Sequence, residues 1–252
     1  CGDRVGVGWI YHASGELDEN LSPSFVATGR DVDGGYAQYM KVHQDYAYPI
    51  PEGYSDIEAA PLLCAGAIGY RALMMCGLRD DQSLGLMGFG ASGHLTLQLA
   101  RHLHPNAPVC VFARDQSSRE FARSLGADWA GDIDEPPAEP LAAIIDTTPA
   151  WRPVLASLRA LQRGGRLVIN AIRKEDGDKS CLMDLDYRDH LWMEKQIVTV
   201  ANITHHDLSA YLPLAAEAGI RPTTSAYPLD QANEALIKIK AGGSNGALVL
   251  VP

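Results

Sequence analysis

From residue 83 onward, short apolar runs alternate with stretches whose apolar positions recur every three to four residues. Leu84–Met87 is such a run, and Leu95, Leu99 and Leu103 then fall on one stripe, which predicts a helix over 93–103. Residues 109–113 read as a strand, 117–125 as a helix ended by Gly126, 144–146 as a strand and 153–161 as a helix. Residues 165–170 and 197–201 read as two further strands. Apolar runs bounded by turn residues suit buried strands, and the 3.6-residue period suits helices lying on them. Their alternation predicts a doubly wound α/β fold, a parallel sheet with helices on both faces. A helix over 231–239 and a strand over 246–251 close the chain.

The first 54 residues have a different rhythm. Val5, Val7 and Trp9 alternate as in a half-buried strand, Asp33-Gly34-Gly35 is a turn, and 36–43 reads as a second strand. Residues 46–49 read as a third, closed by Pro51-Glu52-Gly53, while 13–28 is polar and irregular and reads as a loop. Ser55 with Glu58 three residues later is a capping box, so a helix should start near 56 and run to about Met75, with Gly77 to end it. Residues 134–140 read as a surface loop. No repeat or low-complexity tract is visible.

Composition narrows the function classes. The 252 residues are 46% hydrophobic and 21% charged, ordinary for a globular chain with one or two domains. A net charge of −10 argues against a nucleic-acid surface and offers no attraction to anionic lipid. No apolar stretch approaches the roughly 20 residues that would cross a bilayer. The five cysteines form no CxxC and no disulfide framework, which suits a reducing cytoplasm. Asn20-Leu21-Ser22 and Asn202-Ile203-Thr204 match a glycosylation acceptor by chance, since no signal peptide precedes them. The sequence opens on Cys1, with a strand already in stride by Asp3, so an N-terminal part is expected to be missing.

Candidate chemistry centres on residues 88–94, Gly88-Phe89-Gly90-Ala91-Ser92-Gly93-His94, between a strand and a helix. Gly88 would permit a tight turn, Gly90 would let backbone approach a pyrophosphate, and Gly93 would let the helix pack close to the strand. Free N–H groups at the helix start would face the anion. The bare spacing is weak in a chain with 24 glycines; the flanking elements give it meaning. Dinucleotide sites place a ribose contact at the end of the next strand, about 20 residues on. Arg114 stands there, suited to a 2′-phosphate and hence to NADP; Asp115, next to it, would instead take the ribose hydroxyls of NAD.

The ordered motifs GDRVGV, DGGYAQYM, AAPLLCAGAIGYRAL, GFGASGH, LGAD, GGRLV and GALVLV run through nearly the whole chain. In that order they resemble the medium-chain zinc-containing alcohol dehydrogenases. The resemblance implies a Rossmann domain joined to an incomplete β-rich, GroES-like catalytic domain. The boundaries it implies are 1–55 for the remainder of the catalytic domain, 56–205 for the Rossmann domain with its entry helix, and 206–252 for a return to the catalytic domain. It also implies a homodimer or homotetramer, and a nicotinamide flanked by backbone at Thr147, Ala171, Ile172 and Ala201. Cys64 matches one ligand of the family's catalytic zinc, whose other two would lie upstream; one thiolate cannot hold zinc alone. Ser14, Leu17 and Ser22 stand near where the family's structural-zinc cysteines fall, so at most one catalytic ion is expected, in a longer parent. No catalytic residue is assigned. His205 and His206 read as a helix start rather than a metal pair, since adjacent side chains diverge.

Two functions follow. One is an oxidoreductase moving hydride between an alcohol or aldehyde and NAD(P), with zinc polarising the oxygen. The other is an inactive NADP(H)-binding fragment or relic. Partners are the dinucleotide and a small alcohol or aldehyde, with no nucleic acid and no membrane.

Overall fold

The computed structural model describes residues 2–135, 137–242 and 245–252; Cys1, and Pro136 of the expected 134–140 loop, lie outside them. Contacts divide the chain into two units. One is Arg71–Val200, and the other joins residues up to Tyr70 with Ala201–Pro252.

The unit that includes both ends of the chain begins with β1 (Val5–Val7), β2 (Ile10–His12), β3 (Val26–Ala27) and β4 (Ala47–Pro49). β1 pairs antiparallel with β4, Val5 opposite Pro49, and β2 pairs with β3. The strand expected over 36–43 is not formed. No strand among the described residues lies alongside it to take its N–H and C=O groups, so the backbone stays irregular. Tyr36 and Tyr39 stand exposed, Tyr39 by 91%. The loop over 13–28 holds one 3-10 turn, Glu19–Leu21, besides β3.

The capping box at Ser55 is present: its hydroxyl accepts from the Glu58 N–H, and the Glu58 carboxylate accepts from the Ser55 N–H at 2.8 Å. The helix it starts runs over Asp56–Cys76, with a π turn at Leu62–Gly66. By length and composition this 21-residue helix is apolar enough to cross a bilayer, which corrects the expectation that no stretch comes near. Asp56, Glu58 and Arg71 interrupt its sequence, so it forms no unbroken apolar run. Half of its most apolar window is buried inside the protein, including Leu62, Ala67, Ala72 and Leu73, as in the core helix of a globular fold.

The Arg71–Val200 unit is the doubly wound sheet. β5 (Leu84–Met87), β6 (Val109–Phe112), β7 (Trp129–Gly131), β8 (Leu141–Asp146), β9 (Leu161–Ile169) and β10 (Gln196–Thr199) lie parallel in the order β10-β9-β8-β5-β6-β7. Helices Ala91–Leu103, Gln116–Ser124 and Arg152–Ala160 connect successive strands. β5, β6 and β8 are buried throughout, as apolar runs covered on both faces must be. Met87, Phe112, Ile144, Val154, Leu158 and Leu167 share one core. β7 escapes sequence reading because three residues show no period; it pairs with β6 and packs Trp129 edge-on against Phe112, ring centres 5.1 Å apart. Strand order reverses between β5 and β8, which makes their carboxyl ends the switch point where such sheets take ligands.

After the sheet, helix His205–Glu217 starts where the His pair predicts a helix start. A second capping box, Thr204 with Asp207, begins it; the Asp in place of Glu hides it from the usual pattern. β11 (Thr224–Pro228) and β12 (Ala247–Val251) pair in parallel, with helix Ala232–Ala241 between them.

Candidate functional site

The glycine segment lies at the switch point, and its three glycines meet three different surroundings. Gly88 follows β5 with φ +89°, a conformation that favours glycine; a Cβ there would stand 2.7 Å from Thr147 Oγ1. Gly93 lies in the first turn of helix Ala91–Leu103, and a Cβ there would meet the Gly88 carbonyl at 2.8 Å, so the helix sits tight on the strand end. Gly90 caps the helix and would place a Cβ in open space. No side chain caps this helix start, so its first N–H groups have no acceptor within the helix. The result is a set of backbone donors with open space at Gly90, at the positive end of a helix dipole.

The neighbouring side chains hold this turn from below. Phe89 is buried against Phe121, so only its backbone can face a ligand. His94 is fully buried; its N–H donates to the Gly90 carbonyl at 3.2 Å and its ring Nδ1 lies 3.1 Å from the same oxygen. His94 therefore braces the turn and offers no donor outward. Burial pushes its imidazole below the ordinary 6.5, which keeps it neutral. Ala91 and Ser92 are half-buried, and Asn170 Nδ2 reaches Ser92 Oγ at 3.4 Å.

At the end of β6, Arg114 is exposed and its guanidinium makes no contact among the described residues. Asp115 accepts from Ser118 Oγ at 2.9 Å, so its carboxylate turns onto its own helix. Arg119 fixes this corner, donating to the Ala113 carbonyl at 2.7 Å, the Arg114 carbonyl at 3.0 Å and Asp132 at 2.8 Å.

Across the switch point, the Thr147 N–H and hydroxyl both donate to the Met87 carbonyl, at 3.0 and 3.1 Å. Ala171 and Ile172 follow β9, with Ile172 75% exposed. Ala201 follows the sheet, and its carbonyl accepts from Asn20 Nδ2 at 2.5 Å. Sequence reading passed over two residues here. Asp146, fully buried at the end of β8, accepts from the Thr148 N–H and hydroxyl and from Lys174 Nζ. The strand-end acid beside two threonines was visible in the sequence; its pairing with a lysine 28 residues on was not.

Cys64 lies on the π turn, its thiol pushed up by desolvation. Among the described residues no three His, Cys, Asp or Glu side chains are grouped to hold a metal ion. Catalytic zinc takes three protein donors, so the described residues do not by themselves fit a zinc site. The segment where the resemblance places structural cysteines is held instead by Glu19. This fully buried carboxylate accepts from the Gly15 N–H and the Tyr46 hydroxyl, at 3.1 and 3.2 Å, and from the His205 N–H. Tyr46 in turn accepts from the Ala13 N–H at 3.2 Å.

No protein-family model matches the chain. A probable alcohol dehydrogenase, AdhA, from Mycobacterium tuberculosis (strain CDC 1551 / Oshkosh) is 43% identical over 256 residues, covering 99% of this chain and 72% of that protein. An alcohol dehydrogenase from Geobacillus stearothermophilus is 31% identical over 265 residues, covering 99% and 75%. The solved alcohol dehydrogenase of Aeropyrum pernix superposes with a TM-score of 0.87 at 22% identity, covering 100% of this chain and 76% of that one.

Proposed function

This chain belongs to the medium-chain alcohol dehydrogenase family, and from that premise we propose that it serves hydride transfer between a small alcohol or aldehyde and NADP(H). The observation that carries the reading is the open face at Gly90, with uncapped helix donors behind it, at the switch point of the sheet. The pyrophosphate would lie on residues 88–93, held by backbone N–H groups and the helix dipole. The nicotinamide would lie across the carboxyl ends of β8 and β9, beside Thr147, Ala171 and Ile172. What supports NADP over NAD is the contrast at the end of β6: Arg114 is unpaired and exposed, while the Asp115 carboxylate is turned onto its own helix. Cys64 would serve as a metal ligand only with two further donors. The reading includes a homodimer or homotetramer, supported by the exposed edge strand β10, whose Ile197 is 45% accessible. It places the chain in the cytoplasm, where the free thiols of Cys64, Cys76, Cys110 and Cys181 stay reduced.

Fluorescence titration with NADPH and NADH tests the cofactor assignment. NADPH should bind more tightly, and Arg114→Ala should weaken it by about 1.5–3 kcal/mol while barely changing NADH, because a charge-assisted contact to the 2′-phosphate is lost. Equal losses for both cofactors would remove Arg114 from the site.

A further inference from the structure

The ammonium of Lys174 spends all three of its donors on the segment that follows β8. Nζ donates to Asp146 Oδ2 at 2.5 Å, to the Thr148 carbonyl at 2.8 Å and to the Ala150 carbonyl at 3.0 Å. The other carboxylate oxygen of Asp146 takes the Thr148 N–H and hydroxyl, at 2.9 and 2.8 Å. The side chains are 10% and 0% exposed, so this is a buried, saturated ion pair. Next to it the Glu175 N–H donates to the Pro149 carbonyl at 2.7 Å, and Asp178 accepts from the N–H groups of Trp151 and Arg152. Residues 174–178 are thus laced onto residues 146–152. The laced segments leave the carboxyl ends of adjacent strands, β8 and β9. Thr147 and Thr148, which follow Asp146, are both nearest to where a side chain on Gly88 would stand.

A buried ion pair adds little net stability over apolar residues of similar volume, and what it fixes well is geometry. The geometry fixed here is the spacing between the two strand-end segments. We propose that Lys174 is a positioning residue for the nicotinamide half of the cofactor: by clamping Thr148 and Ala150 to the segment after β9, it sets the slot between Thr147 and Ala171-Ile172 that the ring must enter. This rests on the dinucleotide reading above and goes beyond it, since the glycine turn and Arg114 concern only the other half of the molecule.

The test compares the whole cofactor with the same molecule lacking nicotinamide. Lys174→Met alone strands a buried carboxylate and endangers folding, so two other variants carry the experiment. The double variant Asp146→Asn/Lys174→Met removes both charges. Lys174→Arg keeps the charge, but a planar guanidinium cannot aim three donors from one nitrogen. In either folded variant, affinity for ADP-ribose or its 2′-phosphate should match wild type, while affinity for NADPH or NADH falls about tenfold and the fluorescence shift of the bound nicotinamide is lost. If the affinities with and without nicotinamide fall together, or neither moves, the pair is only structural and the proposal is overturned. Failure of the underlying reading looks different: the wild-type protein itself would bind neither cofactor nor ADP-ribose, and the proposal would fall with it.

Discussion

His94 shows how a single residue couples the turn to the pH of the medium. Its ring is enclosed by the helix and by Phe121, 5.9 Å away between ring centres, and burial holds its pKa below 6.5. As pH falls through about 6.5 the unfolded chain takes up a proton here, while the folded chain does not until lower pH. The unfolded state then binds more protons, so stability is full above this range and declines as pH drops through it. His94→Leu should flatten that part of the profile: urea midpoints at pH 7.5 and 5.5 should differ less in the variant than in wild type. An unchanged difference would mean that His94 takes up its proton in the folded chain as readily as in the unfolded one. The same burial lets His94 support the turn from within.

At the scale of elements, the loop over 13–28 contains no cysteine and is ordered around a carboxylate instead. Glu19 is the organiser, collecting donors from Gly15, Tyr46 and His205 into one buried carboxylate. Glu19→Ala leaves those donors without acceptors and should cost about 3 kcal/mol in urea unfolding. A loss under about 1 kcal/mol would show that water replaces the carboxylate freely. None of this was legible in the sequence, because its partners lie 4, 27 and 186 residues away. The sheet, by contrast, was legible almost strand by strand. β5, β6 and β8 are apolar runs flanked by turn residues, as is the last part of β9, Leu167–Ile169, and their character does not depend on distant partners. The glycine turn was legible for the same reason, being local in sequence. The expected strand over 36–43 failed for the opposite one: a strand exists only with a neighbour to pair with, and none among the described residues pairs with this segment. Asp146 and Lys174 fall in the same class as Glu19, residues whose roles appear only once the chain is folded.

For the molecule as a whole, the strand order of the parallel sheet reverses between β5 and β8, and the glycine turn at that point is the proposed dinucleotide site. The three glycines separate that claim from a merely structural one. A side chain at Gly93 would strike the Gly88 carbonyl and damage the fold along with any binding. A side chain at Gly90 meets nothing within 4 Å, and its φ of −97° lies outside the left-handed region that favours glycine. Gly90→Val should therefore cost at most about 1 kcal/mol of stability, the difference between a Gly and a Val at a helix cap. It would nevertheless fill the space a pyrophosphate needs. The decisive measurement is a titration of Gly90→Val with NADPH, followed by fluorescence, beside thermal melts of variant and wild type. The account predicts a near-native melt with cofactor binding abolished; a variant that binds NADPH as wild type does would contradict it.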